Sequence, residues 1–104
     1  MKKIKTIDLD VKEWFDRING NSYLSAKLTI NYGMKDQRVY AIPFQYGYGS
    51  APELEAAIIL TSKEKIKAER YIPLSYFCRE NGIIYRYGKQ ENCKKKDVIS
   101  FGQE

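Results

Sequence analysis

The sequence predicts a single α+β domain in which an antiparallel sheet of about four strands carries short helices on one face. Residues 22–32 and 38–46 alternate side chains around the polar loop Gly33 to Gln37, as a hairpin with one buried face does. Residues 50–67 switch to helical spacing. A chain of 104 residues, 43% of them hydrophobic, makes one modest core, so residues 1–104 form one domain.

Taken in order, Asp10 with Glu13 matches a capping pair, and Trp14, Phe15 and Ile18 give an apolar helix face that Asn19-Gly20 would end. In the first strand of the hairpin Leu24, Ala26, Leu28, Ile30 and Tyr32 share a side. In the second, Tyr40, Ile42, Phe44 and Tyr46 do. Pro43 cannot donate to a ladder, so that strand lies at an edge or stops pairing there. Ser50-Ala51-Pro52-Glu53 reads as a capping box with proline in the first turn, opening a helix that buries Leu54, Ala57, Ile58 and Leu60. Residues 69–72 read as strand or linker. Pro73 starts a short helix through Leu74, Phe77 and Cys78, closed by Asn81-Gly82. Ile83 to Tyr87 and Val98 to Phe101 read as two closing strands. The core expected from these faces is Leu24, Leu28, Ile30, Ile42 and Phe44 against Leu54, Ile58 and Phe77.

Composition then bounds function. The longest apolar run, Ala56 to Leu60, is far short of the ~20 residues that cross a bilayer, and Asp8 and Asp10 interrupt the signal-like start. A cytoplasmic protein without membrane association is expected. Histidine is absent, and two cysteines, Cys78 and Cys93, form neither a disulfide framework nor a metal-ligand spacing. No opposed carboxylate pair stands out. The chain therefore reads as a non-enzyme with no cofactor, no metal and no catalytic residue, as a monomer or a small homo-oligomer such as a homodimer. Gly47-Tyr48-Gly49 before a helix start could cradle a phosphate, but the Lys-Ser or Lys-Thr of a phosphate loop is missing, and a tight strand-to-helix connection explains it.

Net charge is +5, and the basic residues concentrate between Arg86 and Lys96. Tyr85-Arg86-Tyr87, with Lys89, Lys94, Lys95 and Lys96, combines rings that stack on unpaired bases with cations that neutralise phosphates. Sheet packing beneath solvated lysines accounts for the same residues. Tyrosine also anchors protein interfaces, and Tyr23, Tyr46 and Tyr48 are the candidates for that role.

Asn19-Gly20-Asn21-Ser22-Tyr23, Pro43 to Gly49 (PFQYGYG) and Glu91-Asn92-Cys93 running into Lys96-Asp97-Val98 together resemble a group of short uncharacterised proteins encoded by bacteriophages and related mobile elements. The resemblance carries no activity with it. It implies action by binding, to nucleic acid or to a host protein such as a defence nuclease. The expected function is nucleic-acid binding through the Tyr/Arg/Lys set, with inhibition of a host protein by direct contact, as an anti-CRISPR-like protein acts, as the alternative.

Overall fold

Ile7, Leu9 and Val11 alternate with Asp8, Asp10 and Lys12, and this period of two continues as strand β1 (Thr6–Asp16) where the capping pair predicts a helix from Asp10 onward. The computed structural model describes residues 3–68 and 73–103. Asn19-Gly20, read as a helix stop, is the turn of a hairpin. Gly20 takes φ +70°, and its amide donates to the Asp16 carbonyl at 2.7 Å. The Asp16 carboxylate accepts from the Ile18 and Asn19 amides and from the Asn19 side chain at 2.8–3.3 Å. Those three bonds hold its carboxyl below the usual carboxylate range, the Asn19 side chain contributing most. The aromatic pair Trp14-Phe15 suits a pleated strand as well as a helix, so local preference does not separate the two.

Strand β2 (Asn21–Ile30) pairs antiparallel with β1 from Ile7 opposite Ile30 to Asp16 opposite Asn21. Asn31 ends it at φ +55° and is buried; its side-chain oxygen accepts the Lys5 and Thr6 amides, which ties the N-terminal segment to the sheet. Strand β3 (Arg38–Tyr46) pairs antiparallel with β2 at the sheet edge, the first of the two outcomes expected of Pro43, and pairing continues past it to Tyr46. Helices α1 (Ala51–Lys63) and α2 (Leu74–Glu80) then carry the chain across one face to strand β4 (Ile84–Gln90) at the other edge. A crossover of this length permits parallel pairing, and β4 lies parallel to β1, Thr6 opposite Ile84. The α+β class therefore holds, with a mixed sheet in the order β3-β2-β1-β4 in place of an antiparallel one. Residues 69–72, expected as strand or linker, lie outside the described residues.

The last element departs from expectation too. Val98 to Phe101 belongs to helix α3 (Lys95–Phe101), not to a strand, and α3 packs on the sheet face opposite α1 and α2. A short apolar run of this kind fits one buried helical turn as readily as a strand. The Ser25 hydroxyl, on that outer face, donates to the Val98 carbonyl at 2.5 Å. Helices therefore occupy both faces of the sheet.

The core face buries Ile7, Leu9, Val11, Leu24, Ala26, Leu28, Ile30 and Ile42 against Ala56, Ala57 and Leu60 of α1 and Leu74, Phe77 and Cys78 of α2. Leu54 and Ile58, expected inside, are 45% and 42% exposed. Helix α1 turns its two alanines inward, which lets its backbone approach the sheet closely and leaves those larger side chains outward. Glu64, just past α1, accepts from the Arg38 guanidinium and from the Tyr40 hydroxyl at 2.6 Å, fastening the helix to β3. No helix among the described residues is long and apolar enough to cross a membrane.

Two substitutions separate this core from the expected one. Leu28→Ala removes a fully buried side chain and should cost about 2–5 kcal/mol in urea unfolding, whereas Ile58→Ala should cost less than about 1 kcal/mol. Gly102→Ala tests the seat of α3. A β-carbon there would lie 2.8 Å from Ser25 Cβ and 2.9 Å from the Ile42 carbonyl oxygen, and overpacking of this kind costs about 1–3 kcal/mol.

Candidate binding surface on the outer face of the sheet

The outer face is shaped by an irregularity in β3. Ala26 pairs with Ile42 but Leu24 pairs with Gln45, so β3 fits one more residue than β2 into the same interval, as a bulge does. Pro43, exposed and without an amide hydrogen, occupies it. The extra residue inverts the alternation. Upstream, Tyr40 and Ile42 face the core. Downstream, Phe44 and Tyr46 point to the outer face, and the expectation that all four share a side fails at this point. The backbone of the bulge is also where Gly102 is seated, because any β-carbon at that position would lie 3.0 Å from the Phe44 amide nitrogen.

Inversion gathers a row of rings. Trp14 and Tyr23 are direct partners across the β1–β2 hairpin, with centroids 5.5 Å apart. Tyr23 stacks on Phe44 at 5.3 Å with the planes within 4°, and Tyr46 meets Tyr23 edge-on at 5.9 Å. Tyr48, in the connection to α1, continues the row at 6.1 Å from Tyr46. Exposure rises along it, from half-buried Trp14, Tyr23 and Phe44 to Tyr46 at 57% and Tyr48 at 65%. Tyr23, Tyr46 and Tyr48, the candidate protein-contact residues, are thus brought together. Trp14 and Phe44 are members of the row that sequence reasoning does not single out. The signal for Trp14 is its spacing, since it and Tyr23 lie symmetrically about residues 17–20 once that segment is read as a hairpin turn.

The Tyr/Arg/Lys set is dispersed by the same geometry. Successive residues of a strand point to opposite faces, so Tyr85, Tyr87 and Lys89 lie on the core side of β4 and Arg86 on the outer side. The Tyr85 hydroxyl donates to the Glu53 carboxylate at 2.8 Å; burial, then that bond, raises its pKa. Tyr87, 43% exposed, stands 6.5 Å from Tyr85. The Arg86 guanidinium forks onto Asp8 at 2.5 and 2.9 Å, and the Lys89 ammonium pairs with Glu13 at 3.2 Å. Sequence alone could not reveal these neutralising carboxylates, because each is far away along the chain. Lys94, Lys95 and Lys96 stand at the start of α3, and the Lys95 ammonium lies 5.2 Å from the centre of the Trp14 ring.

The remaining candidates are structural. Gly47 lies so close to Leu24 and Ala51 that a β-carbon would sit 3.0–3.1 Å from them, and Gly49 takes φ +61°, as a tight connection requires. Ser50 makes no side-chain cap; Glu53, its expected partner in the capping box, instead receives the Tyr85 hydroxyl. Among the described residues no cluster of three or more His, Cys, Asp or Glu could hold a metal ion. Helix α3 divides the outer face, leaving the row of rings on one side and, on the other, a groove of about 400 Å³ that contains Lys12, Lys27 and Phe101.

No family model matches the chain, and no match was found among curated proteins or solved structures.

The two thiols differ in a way that can be measured. Cys78 is buried in the core, and its thiol is pushed up to about 11, first by burial and then by the charge of Glu53. Cys93, half-buried, donates to the Gln90 carbonyl at 3.3 Å. At pH 8 a disulfide reagent should titrate Cys93 in the native protein and Cys78 only after unfolding. The native state holds the Cys78 proton more tightly than the unfolded chain does. Its contribution to stability is therefore complete below the ordinary thiol value near 9.0 and declines as pH rises towards 11.

Proposed function

We propose that this chain is a non-catalytic binding protein that engages a protein partner through the row of rings ending at Tyr46 and Tyr48. The observation that carries this is the use of the ring faces. Tyr23 and Phe44 stack within 4° of parallel, Trp14 leans against both at 31–33°, and Lys95 stands over Trp14, so one another and the chain itself already occupy part of these ring surfaces. A surface built to stack unpaired bases keeps those faces open. Two exposed tyrosines on a stiff, half-buried aromatic base instead offer a partner apolar area with hydroxyl tips at low entropic cost, the character of an interface anchor. On the bacteriophage resemblance, the partner is a protein of the bacterial host.

A second reading, nucleic-acid binding, is favoured by one contact. Lys95 joins the lysine run to the rings, so the cations and aromatics of that reading meet at Trp14, not at Tyr85 and Tyr87.

The two readings separate experimentally. A photo-reactive residue at Ile18, which is 93% exposed and lines a cleft with Trp14 and Lys94, should give discrete protein adducts in bacterial cells. Tyr46→Ala with Tyr48→Ala should abolish them, each anchor being worth about 2 kcal/mol or roughly thirtyfold in affinity, while Tyr32→Ala, an exposed tyrosine elsewhere, should not. Trp14 is the only tryptophan. Quenching of its fluorescence by short oligonucleotides at ~50 mM salt, with affinity falling linearly in the logarithm of salt, would overturn the protein reading in favour of the second.

A further inference from the structure

The groove beside α3 brings two lysine ammoniums to one aromatic ring. Lys12 and Lys27 are diagonal neighbours on β1 and β2, and both ammoniums converge on the Phe101 ring, at 4.8 and 4.9 Å from its centre. Two like charges held over one ring repel each other, and a bound anion relieves that repulsion. Neither lysine forms an ion pair among the described residues, whereas Arg38, Arg86 and Lys89 each do. Lys27 stands directly opposite Asp10 in the β1–β2 register, yet it reaches the ring and not that carboxylate.

The rest of the groove suits an oxyanion. Thr29 and Gln90 line it, and neither side chain makes a hydrogen bond among the described residues, so a hydroxyl and an amide are free to donate. Gly88 contributes no side chain on the β4 side, which keeps the floor open. Asp10 is the one carboxylate in the lining. Partial desolvation, then the charge of Asp8, raises its pKa, while Asp8 itself is bound by Arg86; the ammoniums of Lys12 and Lys27 outnumber this single carboxylate. Phe101 holds both ammoniums before any ligand arrives, so binding orders little that was free.

We propose that this groove binds the phosphate group of a phosphate monoester, with Lys12 and Lys27 neutralising its charge and Thr29 and Gln90 donating to its remaining oxygens. Phosphate carries close to two negative charges at neutral pH and accepts from several directions, which matches two cations and two neutral donors better than the planar, singly charged carboxylate does. At about 400 Å³ the groove exceeds what phosphate alone fills, which leaves space for the esterified group.

The test is an amide-resolved NMR titration at pH 7.5 and fixed ionic strength, with inorganic phosphate and with phenyl phosphate as probes. Saturable shifts of the Lys12, Lys27, Thr29 and Gly88 amides are expected, with phenyl phosphate binding more tightly. Lys12→Met and Lys27→Met, which keep the aliphatic stem against Phe101, should each weaken binding at least tenfold, and Lys63→Met should leave it unchanged. The spectra of the variants report their folding in the same experiment. Shifts that do not saturate, that follow added chloride equally, or that survive both substitutions would overturn the site. Equal affinity for the two probes would overturn the ester and leave a site for the inorganic anion.

Discussion

The register of the β1–β2 hairpin is the constraint on which the rest of the molecule depends. With Ile7 opposite Ile30 and Asp16 opposite Asn21, the apolar side chains of both strands fall on one face, where α1 and α2 cover them. The side-chain period of a strand is two, so a slip of one residue would send Ile7, Leu9 and Val11 to the outer face and bring Asp8, Asp10 and Lys12 inside. The turn resists that slip, because Asp16 anchors three donors of the 17–20 segment at once. The same register sets Trp14 beside Tyr23 and Lys12 diagonal to Lys27, so both features of the outer face follow from it.

Helix α3 is the second constraint. Its seat depends on the Ser25 hydroxyl and on the absence of a side chain at Gly102, which together bring a short helix against the bulge in β3. From there it holds Lys95 over Trp14 on one flank and Phe101 beneath Lys12 and Lys27 on the other. A net charge of +5 is thus not spread evenly in its effect. Arg38, Arg86 and Lys89 are neutralised by Glu64, Asp8 and Glu13, whereas Lys12, Lys27 and Lys95, beside α3, lie over aromatic rings and form no salt bridge among the described residues. Ring contact fixes a lysine in place without cancelling its field, which is the property an anionic ligand or an acidic partner surface requires.

Much of the scaffold was legible. The hairpin strands, the edge position that Pro43 imposes on β3, helices α1 and α2 and strand β4 all announce themselves through period and turn chemistry. The segments that misled are those where two periods fit equally. Residues 10–18 satisfy both a capped helix and a strand, and 98–101 is too short for periodicity to decide. Binding residues were legible as types and not as sets. Tyr85, Arg86 and Tyr87 are adjacent in sequence, and a strand separates adjacent residues by turning them to opposite faces. Trp14, Tyr23, Phe44, Tyr46 and Tyr48 are scattered and come together only through pairing.

The sequence by itself determined the α+β class, one core, and a chemistry of tyrosine and lysine without histidine, because composition and local alternation are properties of the chain alone. Tertiary structure decided which face each aromatic occupies and which cations keep their charge. The reason is physical in both cases. One additional residue in β3 inverts every side chain beyond it, and an ion pair such as Arg86 with Asp8 joins groups from opposite ends of the chain, which no local pattern encodes.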